Sequence, residues 1–249
     1  RQNNDLLSAK IESNIYANIS NKSSIKTKIY FYYDEKGLPG PTTLYYLKSA
    51  QRLWNRDFFI QNVFTHHFNQ NLSYKNHFKL SSNYTRYFDP YYNNAQGFQE
   101  DVYNQEEMYL NNILAWQNKK RTICFSLTND LSLNSLNAKT NYEFDPKRFS
   151  SISAITSAFK YRKLRLDLNI LHTRTKDWAT LHKAFATQNH FSPFISLLLK
   201  DSHYEISLFY KDIFRIPTFN DLYYNLVGEP NLKPEKAKQY NLHTTYFTS

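Results

Sequence analysis

Glycine is scarce in this chain, four residues in 249, and cysteine is scarcer, Cys124 alone. With only Gly37, Gly40, Gly97 and Gly228, no phosphate-cradling loop or dinucleotide fingerprint can be built, since both need closely spaced glycines. A lone cysteine permits neither an intrachain disulfide nor a cysteine-based zinc site. There is also no long apolar run, and mean hydropathy is −0.67, so a membrane-spanning helix of about 20 apolar residues is excluded. A strand that is apolar on one face only escapes that last test.

What is abundant is aromatic and basic: 21 tyrosines, 19 phenylalanines and a formal net charge of +10. The basic residues are dispersed, as at Lys75, Lys79, Lys119, Lys120, Arg121, Arg162, Lys163 and Arg165. No groove-entering helix or RNA-binding signature accompanies them, so nucleic acid is not an expected partner. Those in short turns could instead face anionic lipid headgroups. The histidines offer no metal set. His66 and His67 are adjacent and point to opposite faces of a strand, His77 and His172 fall on different strands, and His182 and His190 fall in one long loop. Glu100-Asp101 and Glu106-Glu107 read as a solvated acidic loop. We therefore expect no metal, no cofactor and no catalytic residue. The chain does not read as an enzyme.

The dominant pattern has period two. Ile123, Phe125, Leu127, Leu131 and Leu133 alternate with Cys124, Ser126, Thr128, Asp130 and Ser132. The same holds for Leu164, Leu166, Leu168 and Ile170, for Tyr204, Ile206 and Leu208, and for Leu72, Tyr74, Phe78, Leu80 and Tyr84. Each run has one apolar and one wet face, and Cys124 falls on the wet one. A soluble sandwich shows the same alternation, but runs such as 72–87 and 121–136 exceed the usual soluble strand of about 5 to 6 residues. They suit tilted transmembrane strands.

Connections sort by length. Short polar turns fall near Asn21-Lys22, Asn69-Asn71, Asn118-Lys120, Tyr161-Lys163 and Asp201-His203. Long connections run from Glu35 to Ala50, Asp89 to Gln105, Asn137 to Lys147, Lys176 to His190 and Ile216 to Lys236. Short turns at one rim and long loops at the other are the layout of outer-membrane barrels. The expected fold is all-β, an antiparallel transmembrane barrel present in part, with about eleven strands and residues 1–249 forming one unit. Half a barrel would leave edge groups unpaired in lipid. The chain is accordingly read as an internal piece of a larger protein, with neither signal peptide nor plug.

One segment is more specific. Pro217, Thr218, Phe219, Asn220, Asp221, Leu222 and Tyr223, followed after a gap by Asn231, Leu232, Lys233, Pro234 and Glu235, resembles in order a double motif of TonB-dependent outer-membrane receptors. The resemblance implies a barrel of about two dozen strands around an N-terminal plug. It also implies active import of a scarce solute, with energy delivered by the TonB complex through that plug. The motif itself is expected to be structural. Pro217 and Pro234 would stop the ladder, and Asn220, Asp221 and Asn231 would cap turns. A weaker likeness of Glu35 to Pro41 to receptors of Bacteroidetes, including cobalamin-receptor-like members, ranks cobalamin or a chelate such as an iron complex or haem above an oligosaccharide.

By the same resemblance, capture belongs to the long loops. Tyr91, Tyr92, Phe98 and Tyr103 in one, and Trp178, His182 and Phe185 in another, could stack on a planar or macrocyclic ligand. Expected partners are that small-molecule or chelate substrate, the TonB complex, outer-membrane lipid and a surface lipoprotein. Two other readings stay open: a structural or adhesive outer-membrane barrel without transport, and a soluble β-rich binding domain.

Overall fold

The structure, a computed structural model, describes residues 3–39, 50–140, 143–178, 187–225 and 228–247. It contains β1 (Leu6–Ser20), β2 (Ser23–Leu38), β3 (Gln51–His67), β4 (Leu72–Asp89), β5 (Gln99–Gln117), β6 (Ile123–Lys139), β7 (Glu143–Phe144), β8 (Lys147–Tyr161), β9 (Leu164–Trp178), β10 (Gln188–Lys200), β11 (Tyr204–Arg215), α1 (Phe219–Tyr223) and β12 (Glu235–Tyr246). All pairings are antiparallel and join strands consecutive in the chain, except that β6 also pairs with β8 past the two-residue β7. Eleven strands follow one another in a single sheet, and the two-residue β7 pairs off the path with β6. This meander is the expected all-β architecture. The path is open: β1 and β12 each pair on one side only. It is part of a barrel wall rather than a closed one.

Register turns the alternation of each strand into two continuous faces. Ile29, Ile60, Leu80, Met108, Leu133 and Phe149 stand side by side on β2, β3, β4, β5, β6 and β8. Trp116, Phe125, Leu127, Ile155, Ile170 and Leu208 lie on the same outer face, and all are exposed. The face is interrupted by a polar rung, Asn76, Asn112, Asn129 and Ser153. Its members bond to one another or to near neighbours. Tyr74 Oη and Asn76 Nδ2 both donate to Asn112 Oδ1, and Asn129 Nδ2 donates to Ser153 Oγ. Mutual bonding offsets much of the cost of carrying these amides on an apolar surface. The opposite, inner face carries Lys75, His77, Lys79, Cys124, Thr128 and Asp130, as the alternation requires.

The hairpins alternate as their sequences indicate. Turns at 21–22, 68–71, 118–122, 162–163 and 201–203 form one rim, and the longer connections form the other. Several long loops are shorter than the sequence suggests, because the strands run on. β5 begins at Gln99, so Glu100-Asp101, Tyr103 and Glu106-Glu107 are strand residues, not loop. β2 continues to Leu38, Trp178 is the last residue of β9, and His190 lies in β10. The reason is physical. Above the apolar band the outer positions turn polar, as at Ser82, Glu106, Ser135 and Asn137, and the alternation signal stops while the backbone ladder continues in water.

Candidate functional site

At the long-loop rim, the described residues between β11 and β12, 216–225 and 228–234, fold back over the inner wall. Pro217 ends the strand because proline brings no ladder N–H. Thr218 then caps the short helix α1: its hydroxyl accepts from Asp221 N, and the Asp221 carboxylate accepts from Thr218 N at 2.8 Å. This reciprocal arrangement is a capping box, and it makes Thr218, rather than Asn220, the cap. The Thr218 N–H, its hydroxyl and nearby Arg215 hold the Asp221 carboxyl below the ordinary carboxylate value. The second half of the motif closes the loop, where Asn231 donates through N and Nδ2 to Glu229 Oε1 and Glu235 opens β12.

The helix delivers Phe219, Leu222 and Tyr223 against Leu136 and Ala138 of β6 and Tyr103 of β5, all nearly inaccessible to solvent. In a sheet whose two faces are otherwise open, this is the only hydrophobic core among the described residues. Tyr224 stacks on Tyr103 with centroids 4.0 Å apart, and Asn225 N donates to Tyr103 Oη at 2.9 Å. Burial pushes the Tyr224 phenol above its usual value. It does the same to Tyr223, where the charge of Asp177 adds to the effect.

Two buried carboxylates clamp the strap to the wall. Asp177 of β9 receives a bidentate pair from Arg148 of β8 at 2.7 and 2.6 Å, and Arg148 Nη1 also donates to Pro217 O at 2.6 Å. The guanidinium lies 5.1 Å from the Phe219 ring centroid. Asp101 of β5 accepts from Asn225 Nδ2 at 3.0 Å and from Gln99 Nε2 at 2.6 Å. Both ends of α1 are therefore tied to charges that hydrogen bonds keep satisfied.

The expected ligand-facing aromatics divide. In the loop 90–98, Asp89 Oδ1 accepts from Tyr91 N, Asn94 Nδ2 donates to Phe98 O, and Gly97 takes the left-handed conformation with φ 75°. This frame leaves Tyr91 73% exposed and Phe98 42% exposed, with Tyr92 partly buried. Trp178, 41% exposed, carries the Lys176 ammonium 5.2 Å from its ring. Tyr103 stands apart, its ring covered by Tyr224 and its hydroxyl used by the strap. His182 and Phe185 lie outside the described residues. Among the described residues no group of three or more His, Cys, Asp or Glu side chains could hold a metal ion. The sequence reading missed Arg148 and Asp177. Their only signal is a basic and an acidic residue at strand tops 29 positions apart, which means nothing until β8 and β9 are paired.

Residues 4–249 match the family described as TonB dependent receptor-like, beta-barrel, and the chain belongs to that family. No curated protein sequence matches it. Among solved structures it is similar to BauA, the ferric preacinetobactin receptor of Acinetobacter baumannii, at 10% identity and TM-score 0.74, over 96% of this chain and 44% of that one. It is similar to the ferric citrate transporter FecA at 9% identity and TM-score 0.73, over 99% and 42%. A third is the ferripyoverdine receptor of the outer membrane of Pseudomonas aeruginosa, at 11% identity and TM-score 0.74, over 96% and 39%. At these identities the likeness is one of fold. The chain spans less than half the length of each.

Proposed function

We propose that this member of the TonB-dependent receptor barrel family supplies part of the wall and rim of an outer-membrane receptor. The whole receptor captures a scarce iron chelate and imports it with energy delivered by the TonB complex. The observation that carries this reading is the family match over nearly the whole chain, joined to strands with an apolar outer face and an inner face rich in polar side chains. Similar structures described as ferric-chelate receptors favour an iron complex. Cobalamin and haem gain no such support.

The chemistry of the wall agrees with an anionic chelate. Lys26 and Lys75 stand on the inner face without an ion pair among the described residues, where they would attract a negatively charged solute, whereas Lys28 and Lys79 there hold Glu12 and Glu107. Tyr91, Phe98 and Trp178 offer exposed rings at the rim for the organic part of the chelate. The wall performs no bond chemistry. The strap built from the double motif sets the shape of the rim, and the exposed rings do the sampling.

The test uses the full-length receptor in iron-limited cells and measures uptake of radio-iron chelates. Replacing Tyr91, Tyr92 and Trp178 together by alanine raises the half-saturating concentration by about tenfold, the size expected for the loss of a few aromatic contacts. Undiminished capture by that variant would remove the role of the rings. Uptake that persists without the TonB complex would remove the transport reading.

A further inference from the structure

The apolar band of the outer face has a polar centre on one half of the sheet and none on the other. The rung Asn76, Asn112, Asn129 and Ser153, across β4, β5, β6 and β8, has two apolar rungs on each side of it. The outermost are Leu80–Met108–Leu133 toward the long loops and Leu72–Trp116–Phe125 toward the short turns. At a rise of about 3.4 Å per residue, the amides stand about 14 Å along the strand from either end of the band. On β9, β10 and β11 the outer positions from Leu164 to Ile170, Pro193 to Leu199 and Tyr204 to Tyr210 carry no such interruption.

A polar side chain at that depth is costly unless its donors and acceptors are paired. Water and lipid ester groups lie at the edges of the band, and acyl chains neither donate nor accept. Bonding within the rung uses only part of its capacity, since each amide offers two donors and two acceptor sites. Asn112 Oδ1 accepts twice, from Tyr74 Oη at 2.6 Å and from Asn76 Nδ2 at 2.9 Å, while its own amide N–H groups meet no acceptor among the described residues. Asn129 Nδ2 donates to Ser153 Oγ at 2.9 Å, and Asn129 Oδ1 meets no donor among the described residues. These two asparagines are register partners. Free donors and a free acceptor therefore sit side by side in the middle of an apolar wall.

We propose that this rung is the centre of an interface with a second copy of the receptor, the two copies related by a two-fold axis along the membrane normal. Both copies enter the membrane with the same polarity, so symmetry by itself brings rung to rung at equal depth. An unrelated partner would have to match that depth through its own sequence. Across the axis, the Asn112 amide N–H of one copy meets Asn129 Oδ1 of the other, and the same bond recurs in reverse, as a self-complementary interface requires. β8 permits the close approach, because its outer face carries Ser151, Ser153 and Ser157 at positions where its neighbours carry larger side chains, and small residues let membrane-embedded surfaces pack tightly. The unbroken apolar wall of β9 to β11 has no polar group to satisfy and stays against acyl chains. This inference concerns the outer wall alone and stands or falls independently of the transported solute.

The experiment uses the dye-labelled, full-length receptor in phosphatidylcholine vesicles over a range of protein-to-lipid ratios, with the dimer fraction counted by single-molecule photobleaching. Folding of every variant is verified by heat-modifiable gel mobility. Asn112→Leu and Asn129→Leu together suit a lipid-facing wall, so the barrel folds, while dimerisation weakens by about tenfold or more, the effect of losing a few intramembrane hydrogen bonds. Ser153→Trp, which adds bulk at the approach surface, weakens it as well. Leu197→Ala and Leu208→Ala together, on the unbroken half of the band, leave it unchanged. A wild-type receptor that stays monomeric at every ratio overturns the proposal, as does undiminished dimerisation in the double leucine variant or an equal loss in the β10–β11 variant. A different membrane protein seated on the rung in place of a second copy would overturn it too.

Discussion

The two rims of this wall are held together by different means. At the short-turn rim the turns close largely on their own side chains, with lighter ties between neighbouring turns such as Asn71 Nδ2 to Gln117 O and Lys163 to Asp201. Asn69 Oδ1 accepts from Asn71 N and Leu72 N, Asn118 Oδ1 from Thr122 N and Ile123 N, and Asp201 Oδ1 from Ser202 N. Arg121 and Arg162 take left-handed conformations with φ of 53° and 52° to close their turns. Each of these bonds within a turn spans five residues or fewer. At the long-loop rim the decisive bonds span 69 residues, from Arg148 to Pro217, and 124, from Asn225 to Asp101. The first rim is closed mainly by local bonds and the second by tertiary ones, so damage at the first should stay in one hairpin and its neighbour while damage at the second should free an entire strap.

The strongest way to sharpen that contrast is to break the buried pair. Arg148→Met leaves Asp177 as an uncompensated buried charge and removes the donor to Pro217, and should destabilise the strap by about 3 kcal/mol. Hydrogen exchange would then show residues 216–225 opening while the amides of the short turns keep their protection. Equal protection of the strap in wild type and variant would show that the clamp does not hold it.

A smaller effect is expected from the opposite rim. Asn118→Ala removes the acceptor of two turn amides and should cost about 1 kcal/mol, confined to the β5–β6 hairpin. The same exchange measurement checks it, and a loss of protection that spread to α1 would contradict the local character of this rim.

The smallest effect is one of pH. The Asp221 carboxyl is depressed in the folded strap, so its contribution is present above the ordinary carboxylate range and is lost as pH falls through the lower folded value. Exchange at the N-terminus of α1 should rise on acidification. Asp221→Asn should flatten that dependence, and a strap equally pH-sensitive in the variant would assign the effect to another group. At the short-turn rim, Lys163 and the Ser202 N–H hold the Asp201 carboxyl low, so acid there should loosen the 201–203 turn and its tie to the neighbouring 162–163 turn, and nothing at the opposite rim.

Much of this was legible in the residues themselves. Period two in Ile123 to Leu133 assigned β6 and its two faces, because side chains on a pleated strand alternate whatever the strand pairs with. The turns were legible because Asn118 and Asp201 carry their own acceptors. The strand ends were less so. Ser82, Glu106 and Ser135 gave no apolar signal, although backbone pairing through them is as regular as below. The candidate site was half legible: Tyr91 and Trp178 are exposed rings at the rim, but Tyr103 proved to belong to the strap.

Sequence by itself determined the alternation, the sorting of turns from loops, and the double motif that marks the family, since all three depend on residues close together in the chain. Only tertiary structure decided that the motif folds inward, that Arg148 meets both Asp177 and Pro217, and that Asn225 meets Asp101 and Tyr103. Those contacts join residues whose separation is set by strand register. Register is a property of the whole sheet, fixed by burying one face of every strand at once.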